Sequence, residues 1–528
     1  RALVTAHLWK ETGKNILIVS QDDLMAEDLW DDLCTLIGQE NALYLPEYEV
    51  LPYEERSPHY SIRATRMMCI HHILQGAPSV YSISIRSLLR MLPPLENIAK
   101  HIKELRPQME YSPDKLMQDL VWMGYDVQYQ VTKVFQVARR GGIIDIFSPP
   151  QLKPVRIEFF GDEIVSMRYF SPNTQRSIPG EVESYTLLPS REFSLDDISP
   201  HSILLPQIKN TGFYEGIENQ YCLLLDKLST FADYFEAQNR LILFSNFPYI
   251  QEELTRLTEQ VQLEYHRQLK YTTKAKLSPP EGIIAGEEKL MELCQPESSL
   301  FLSQSEFILP FPTENIKAPI EPQPSFNGNL TLLASALNQM EKEHFNPILL
   351  FDNISQSKRM QELLEDYNCS PQSYIGVLHE GFTITDAGLA LWTDHEIFNR
   401  YKRKRYTPRF PPGEEIVDYQ SLKPGDYIVH IEHGIGVFEG LQIIKLDGQD
   451  TECLVLRYAG DDRVYVPTYQ LDLVTKYIAE EGVAPTLSRL GSTKWQHTKR
   501  KAAEQIELIA ADLVKLYAER SSRIGIAH

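Results

Sequence analysis

A short segment, Val155–Phe160, combines residue types that commonly mediate protein recognition. Alternation along a strand places Val155, Ile157 and Phe159 on one face, and Arg156, Glu158 and Phe160 on the other. A phenylalanine beside an arginine on a polar face is typical of an interface, where the ring fills a pocket and the guanidinium pairs with a carboxylate. The alternative is that Phe160 packs under a loop of its own domain, since singly exposed apolar residues are common.

Other residue patterns that could support catalysis or metal binding are incomplete. The Gly13-Lys14 dipeptide lacks the upstream glycine and the following Ser or Thr of a phosphate-binding loop, so we interpret it as a helix-to-strand turn. Neighbouring carboxylates such as Asp461-Asp462 fit turns better than acid/base pairs. The histidine pairs have no third ligand at metal spacing: His71-His72, and His430 with His433. We therefore predict no catalytic residue, no cofactor and no metal site in this chain.

A second candidate for recognition is the strand that ends at Leu441-Gln442-Ile443-Ile444. Its consecutive apolar residues exceed what a strand with one buried face needs. The strand either lies at a sheet edge and adds to a partner's sheet, or is buried on both faces, and periodicity favours neither. The basic residues Lys402–Arg405 are interpreted as a solvated linker, although they could touch a phosphate backbone.

Composition limits the class of protein. A chain of 528 residues with 43% hydrophobic residues can form several domains. A formal charge of −20 argues against an overall nucleic-acid footprint, so any such contact must be local. Six scattered cysteines without a C-x-x-C pair indicate a reducing cytoplasm, and no apolar run is long enough to cross a membrane.

The hydrophobic pattern predicts a multidomain α/β protein. Helix and strand signals alternate from Ala2 to Leu45, which predicts a parallel sheet, and they change to β signals near Pro113. Five prolines between Pro310 and Pro324 predict an extended connector. The predicted segments are an α/β domain (1–110 and 194–308), an inserted β-rich module (111–193), a Pro-rich linker (309–326), a small α/β domain (327–399), a basic linker (400–418), a small β-barrel (419–480) and a long helix (488–528).

Five segments of this sequence carry a family resemblance: Ala138–Phe147 followed by Arg156–Ile164, Lys423–Gly436, Leu45–Tyr53, Phe213–Glu218 and Tyr458–Pro467. Together they resemble one bacterial family, the transcription-repair coupling factors. The first segment resembles the UvrA-binding module that this family shares with UvrB, and Lys423–Gly436 resembles its CarD-type, Tudor-like domain.

The resemblance implies two partners and their contact residues. Arg140, Arg156 and Phe160 match residues that contact UvrA in the family, and Ile443 and Ile444 match the strand that contacts the RNA polymerase β subunit. It also implies that residues 1–110 and 194–308 are similar to the UvrB nucleotide-binding fold without its phosphate loop, a degenerate P-loop-like domain. The ATP-driven DNA translocase would lie beyond His528, so ATP, magnesium and most DNA contacts would belong to that motor, to which 488–528 would connect.

We therefore expect a cytoplasmic, non-enzymatic adaptor that links stalled polymerase to nucleotide-excision repair. One alternative is a CarD-like transcription regulator that acts through polymerase alone, against which the UvrA-binding pattern speaks. The other is a fragment of a UvrB-like damage-recognition helicase, against which the small barrel after Pro424 speaks.

Overall fold

The computed structural model describes residues 1–398 and 423–490, except positions 173, 271–276, 296, 310, 352–353, 368, 431–432, 447–448, 461, 468–473 and 477–486. It shows a mixed α/β protein with several sheets. The helices are α1 Ala2–Thr12, α2 Asp23–Ile37, α3 Tyr60–Gln75, α4 Ile85–Leu89, α5 Leu95–Ala99, α6 Pro113–Trp122, α7 Leu205–Thr211, α8 Tyr221–Leu224, α9 Phe247–Gln268, α10 Glu287–Leu293, α11 Leu330–Lys342, α12 Ile354–Glu365 and α13 Asp394–Phe398. The strands are β1 Asn15–Ser20, β2 Ala42–Leu45, β3 Val80–Ser84, β4 Lys103–Leu105, β5 Asp126–Val127, β6 Gln136–Arg140, β7 Ile143–Ile146, β8 Val155–Phe160, β9 Glu163–Tyr169, β10 Tyr185–Leu187, β11 Arg240–Ser245, β12 Ser299–Leu302, β13 Ile320–Pro322, β14 Asn346–Phe351, β15 Gln372–Ile375, β16 Phe382–Ile384, β17 Leu389–Thr393, β18 Tyr427–His430, β19 Gly434–Leu446, β20 Gln449–Arg457, β21 Arg463–Pro467 and β22 Val474–Lys476.

The chain divides into two compact units, and each is described by itself. Of the described residues, those within 1–53, 72–92 and 228–398 belong to one unit, and those within 54–71, 93–227 and 423–490 belong to the other. The domain boundaries expected from the sequence remain predictions.

The first unit is built on a parallel sheet with the strand order β12-β11-β1-β3-β2. The central strand β1 is buried from Ile16 to Ser20, because it has a neighbour on each edge and helices that pack on its side chains. Helix α2 begins where the Asp22 carboxylate caps the Met25 amide at 2.9 Å. The α/β arrangement with a parallel sheet that the sequence predicted is confirmed here.

Half-buried carboxylates lie where the strands of this sheet end. Glu47 accepts a hydrogen bond from the Ser84 hydroxyl at 2.6 Å, and Asp23 accepts one from the Tyr44 hydroxyl at 2.6 Å. Desolvation by burial raises the pKa of Glu47 to about 7 and that of Asp23 to about 6. Repulsion from the Asp23 carboxylate adds to the pKa shift of Glu47. The ionised form of Glu47 is therefore disfavoured in the folded state.

Neutralising Glu47 should stabilise the first unit in a pH-dependent way. Its folded pKa lies above the unfolded value of about 4.3, so its ionisation reduces stability as pH rises from about 4 to about 7. We expect Glu47→Gln to raise the free energy of unfolding by about 1 kcal/mol at pH 8, and by clearly less at pH 5. Urea unfolding at both pH values measures this, with the exposed Glu259→Gln as control. An equal gain at both pH values would contradict the prediction.

The same unit contains a smaller α/β layer with the strand order β13-β16-β17-β14-β15. Trp392 and Leu337 are fully buried in its core. Strand β13 pairs antiparallel with β16, although it lies inside the segment expected to be an extended linker. The linker interpretation is wrong for residues 320–322, because three residues of a Pro-rich segment can still pair at a sheet edge.

This smaller layer is joined to α2 by polar contacts. The Thr35 hydroxyl donates to the Val377 carbonyl at 2.7 Å and accepts from the Val377 amide at 3.0 Å. The His379 ring contacts the carboxylates of Asp28 and Asp32 at 3.2 and 2.8 Å. We call His379, Asp28 and Asp32 the histidine clasp.

The second unit begins its β-rich region with a helix that the sequence analysis missed. Helix α6 spans Pro113–Trp122 and buries Leu116, Met117 and Leu120, so the expected change to β structure at Pro113 is wrong by about one helix. Proline at the first helical position is a helix-start signal, because its missing amide would lack an intrahelical partner in any case. Five strands then follow in the sheet order β5-β6-β7-β8-β9, in which β5 is parallel to β6 and the other neighbours are antiparallel.

The last described region is a five-stranded sheet with the order β21-β20-β19-β18-β22. All its pairings are antiparallel, and Ile428, Leu454 and Leu456 are fully buried in its core. Its outer strands β21 and β22 are not paired with each other in the described residues, so a sheet rather than a closed barrel is seen. The expected basic tetrad 402–405 and the long helix after residue 490 lie outside the described residues.

Candidate functional site

Two tight turns lie at the same end of the β5–β9 sheet. Gly141-Gly142 joins β6 to β7, and Gly161-Asp162 joins β8 to β9. The Phe159 amide donates to the Gly142 carbonyl at 2.8 Å, which brings the two turns side by side. Gly141 and Gly161 have φ values of 61° and 62°, where glycine avoids the strain of a Cβ atom. Arg140 and Phe160, each the last residue before a turn, therefore lie at this end.

The Phe160 side chain is exposed to solvent. It is 83% exposed, whereas Ile157 on the opposite face of β8 is fully buried. A β-bulge in β9 places Val165 between the partners of Glu158 and Phe159, and Val165 is 53% exposed. The alternative that Phe160 packs under a loop of its own domain is wrong. Phe160 and Val165 are thus two exposed apolar side chains on neighbouring strands of this sheet.

Beneath that face, one buried carboxylate binds both predicted arginines. Asp145 on β7 is fully buried and lies opposite Arg156 on β8. Arg156 donates from Nε at 2.8 Å and from Nη2 at 2.9 Å to the two carboxylate oxygens, and Arg140 Nη2 donates at 2.5 Å. We call Asp145, Arg140 and Arg156 the arginine cluster.

The two arginines differ in accessibility. The Arg140 side chain is 40% exposed, while that of Arg156 is 16% exposed. Arg156 also donates to the Gln175 carbonyl at 3.2 Å and lies 4.8 Å from the Phe170 ring centroid. Hydrogen bonding to Asp145 raises the pKa of Arg156, so the guanidinium stays charged. The arginine cluster holds two cations and one anion, and the Glu158 carboxylate on the same face of β8 adds a second anion near Arg156.

Sequence reasoning missed Asp145 and Val165. Asp145 stands in an otherwise apolar strand, Ile143–Ile146, and a carboxylate in a buried strand must have a partner. That signal was available in the sequence. The exposure of Val165 depends on the bulge, which the sequence pattern does not show.

The second candidate surface is a ribbon formed by β19 and β20. From Gly440 to Leu446, β19 pairs with β20 on one side, and within the described residues no strand pairs with its other side. Ile443 pairs with Glu452 and Ile444 with Thr451; the Ile444 side chain is half-buried and that of Ile443 lies outside the described residues. Leu441 is 41% exposed. A strand with one unpaired edge can accept a strand from a partner.

At the root of this ribbon, Glu439 links two strands. Its carboxylate accepts from Arg457 Nε at 2.9 Å and from Arg463 Nε at 2.7 Å. Arg463, and then Arg457, lower the pKa of Glu439. The pairing fixes β19 relative to β20 and β21 where the ribbon leaves the sheet.

Candidates for other chemistry have structural explanations. The His72 ring lies 2.7 Å from the Ser79 hydroxyl, and burial lowers its pKa. The His430 and His433 rings stack with centroids 4.4 Å apart. No group of three or more metal-ligating side chains occurs in the part of the chain that the structure describes. Over the same residues, no helix is long and apolar enough to span a bilayer.

Family models match the regions of both surfaces. The model of the UvrB interaction domain matches residues 104–193, which contain the arginine cluster and Phe160. The model of the CarD-like/TRCF RID domain matches residues 422–478, which contain the ribbon.

Curated relatives extend the similarity to the rest of the chain. The transcription-repair-coupling factor of Bacillus subtilis strain 168 is 29% identical over 100% of this chain and 48% of its own length. Those of Staphylococcus aureus strain USA300 and Staphylococcus epidermidis are 26% and 25% identical over 99% of this chain, again with 48% of their own length. The chain thus spans about half the length of the relatives it matches. Along its whole length, the chain is a homologue of the transcription-repair-coupling factors.

Proposed function

We propose that this chain is an adaptor for transcription-coupled nucleotide-excision repair, which binds UvrA through the β5–β9 sheet and the RNA polymerase β subunit through the β19–β20 ribbon. The proposal rests on the homology together with two separate surfaces of different character. ATP-driven DNA translocation would belong to the remainder of the full-length protein, and with it the ATP, magnesium and most of the DNA contacts.

The exposure of Phe160 carries the UvrA half of the proposal. The Phe160 ring is 83% exposed and lies at the same sheet end as the Arg140 guanidinium, which Asp145 binds. This combination is typical of an interface anchor, and it lies inside the matched UvrB interaction domain. Burying such a ring on binding removes apolar surface from water, while the arginine supplies a directional ion pair. Arg140, Arg156 and Phe160 are the proposed contacts.

The edge of β19 that has no strand partner among the described residues supports the polymerase half. A two-stranded ribbon is marginal by itself, and adding a strand from a partner satisfies its free backbone groups. Ile443 and Ile444 lie in this stretch and remain the predicted contacts, with Leu441 as an exposed apolar neighbour. The matched CarD-like/TRCF RID domain contains all three residues.

Both alternatives explain only part of these observations. A CarD-like regulator that acts through polymerase alone leaves the exposed Phe160 and its arginines without a role. A UvrB-like helicase fragment leaves the CarD-like region without one. Binding of both partners by one chain is therefore the distinguishing property.

Single substitutions should separate the two binding activities. We expect Leu441→Asp to weaken binding to purified RNA polymerase about 10-fold, because it places a charge on the apolar part of the ribbon, and to leave UvrA binding unchanged. Phe160→Ala should do the reverse. Biolayer interferometry of the full chain with each partner measures both, and excess UvrB should compete for UvrA without displacing polymerase.

Two results would contradict the proposal. Loss of both activities in either variant would indicate a general folding defect rather than two docking surfaces. Polymerase binding without any UvrA binding by the wild-type chain would favour the CarD-like regulator instead.

A further inference from the structure

The arginine cluster contains a residue to which no role in docking has been given. Asp145 is fully buried, so it cannot touch a partner, yet both of its carboxylate oxygens accept hydrogen bonds from arginines on neighbouring strands. An ionised carboxylate is costly to bury, and a carboxylate that served only the sheet could be replaced by an apolar residue. Its place suggests a role in recognition.

Arg156 anchors this carboxylate. Two hydrogen bonds to Asp145, one to the Gln175 carbonyl and the contact with the Phe170 ring hold its guanidinium from several sides. The Asp145 carboxylate is thereby fixed in orientation as well as in position. An exposed side chain that is hydrogen-bonded to this carboxylate is therefore restricted in its orientation as well.

Arg140 is the group that benefits. Without Asp145, a 40% exposed arginine at the end of a strand would sample many rotamers, and ordering it on binding would cost about 0.5–1.5 kcal/mol. With one donor held by Asp145, its other donors remain for an acceptor outside the molecule. The exposed Arg140 guanidinium is a cation with planar paired donors, so it favours an anionic acceptor, which on a protein surface is a carboxylate.

We propose that Asp145 is a positioning residue for docking: anchored by Arg156, it holds the Arg140 guanidinium ready for a carboxylate of the partner at the sheet end that carries Phe160. This rests on the proposed binding of UvrA and adds the chemistry of the contact. The geometry resembles the support of a binding group by residues behind it, in which orientation rather than contact supplies affinity.

A double-mutant cycle in the full chain tests the proposal. We expect Asp145→Asn to weaken UvrA binding about 10-fold in the wild-type background, but at most about 3-fold in an Arg140→Ala background, because its effect passes through Arg140. A merely structural role would give the same loss in both backgrounds. Near-ultraviolet circular dichroism and the melting temperature report folding of each variant.

A matched control separates positioning from loss of a buried charge. Glu192, only 5% exposed, accepts from Arg66 Nε at 2.7 Å outside the β5–β9 sheet. Glu192→Gln should lower the melting temperature while UvrA binding stays as in wild type. Should Asp145→Asn fail to fold, Asp145→Glu keeps the buried charge but displaces Arg140, and we expect at least about 5-fold weaker binding.

The outcomes distinguish this inference from the proposed function. Folded Asp145→Asn or Asp145→Glu that binds UvrA as wild type does, or losses that multiply fully with that of Arg140→Ala, would overturn the positioning role alone. No UvrA binding by the wild-type chain, or no loss with Phe160→Ala, would overturn the proposed function and the positioning role with it.

Discussion

Replacing Arg156 and Phe160 together by alanine should weaken binding of this chain to purified UvrA by at least about 2 kcal/mol, or about 30-fold in the dissociation constant. Phe160 loses the ring that is 83% exposed in the free protein, and Arg156 loses the bidentate pairing that orders the arginine cluster. Isothermal titration calorimetry with the wild-type and double-variant chains measures the effect.

Single variants show how much of the lost UvrA affinity each of the two side chains contributes. Phe160→Ala should weaken binding without changing the melting temperature, because an exposed ring contributes little to folding. Arg156→Ala should lower the melting temperature as well, because it leaves Asp145 with Arg140 as its remaining arginine partner. Tyr129, 71% exposed in the same matched domain, provides the control: Tyr129→Ala should bind as wild type. Unchanged affinity of the double variant would refute the predicted contact surface.

The histidine clasp should stabilise the first unit in a pH-dependent way. Burial opposes the charge of His379, but hydrogen bonds and attraction from Asp28 and Asp32 outweigh it and raise the pKa to about 10. The unfolded value is about 6.5, so the stabilisation is complete below pH 6.5 and is lost as pH rises towards 10. We expect His379→Ala to cost about 2 kcal/mol at pH 6, after allowance for solvent screening, and clearly less at pH 9.5.

Unfolding by urea at the two pH values checks the sign of this effect. Hydrogen exchange adds a local readout, since amides near Val377 and His379 should exchange faster in the variant. As a control, His7→Ala replaces an exposed histidine of α1 and should change neither the free energy of unfolding nor the exchange rates of these amides. A destabilisation that grew from pH 6 to pH 9.5 would mean that the neutral ring, rather than the imidazolium, holds the contact.

Much of the fold could be predicted because apolar runs and turn residues mark buried strands and their ends. Strand β8 has the predicted bounds, because it alternates with period two and ends at a glycine turn. Elements α1, β1 and α2 lie in the segment from Ala2 to Leu45 where helix and strand signals were expected to alternate, and glycine or polar residues mark their ends. Helix α6 was missed because the change to β signals was placed near Pro113, where the proline instead stands at the start of a helix. The strand at Ile320 lacks a period, and its pairing with β16 depends on tertiary context.

The candidate site was predictable in part for the same reason. Strand alternation alone placed Arg156 and Phe160 on one face of β8. The structure confirms this: Arg156 is half-buried and Phe160 is exposed, whereas Val155 and Ile157 on the other face are buried. The alternation could not show that Arg140 and Arg156 share Asp145, because this depends on the register of three strands. The contribution of Val165 follows from a bulge, which breaks the alternation itself.

The order of strands in the parallel sheet has a consequence for synthesis on the ribosome. Strand β1 pairs with β11, about 220 residues later in the chain. At roughly 5–20 residues per second, β1 waits roughly 10–40 s for this neighbour. The β5–β9 sheet comes from the contiguous segment 126–169, so all its strands emerge well before β11 does. The nascent chain can therefore complete its UvrB-interaction sheet while the edge of β1 is still open to a chaperone.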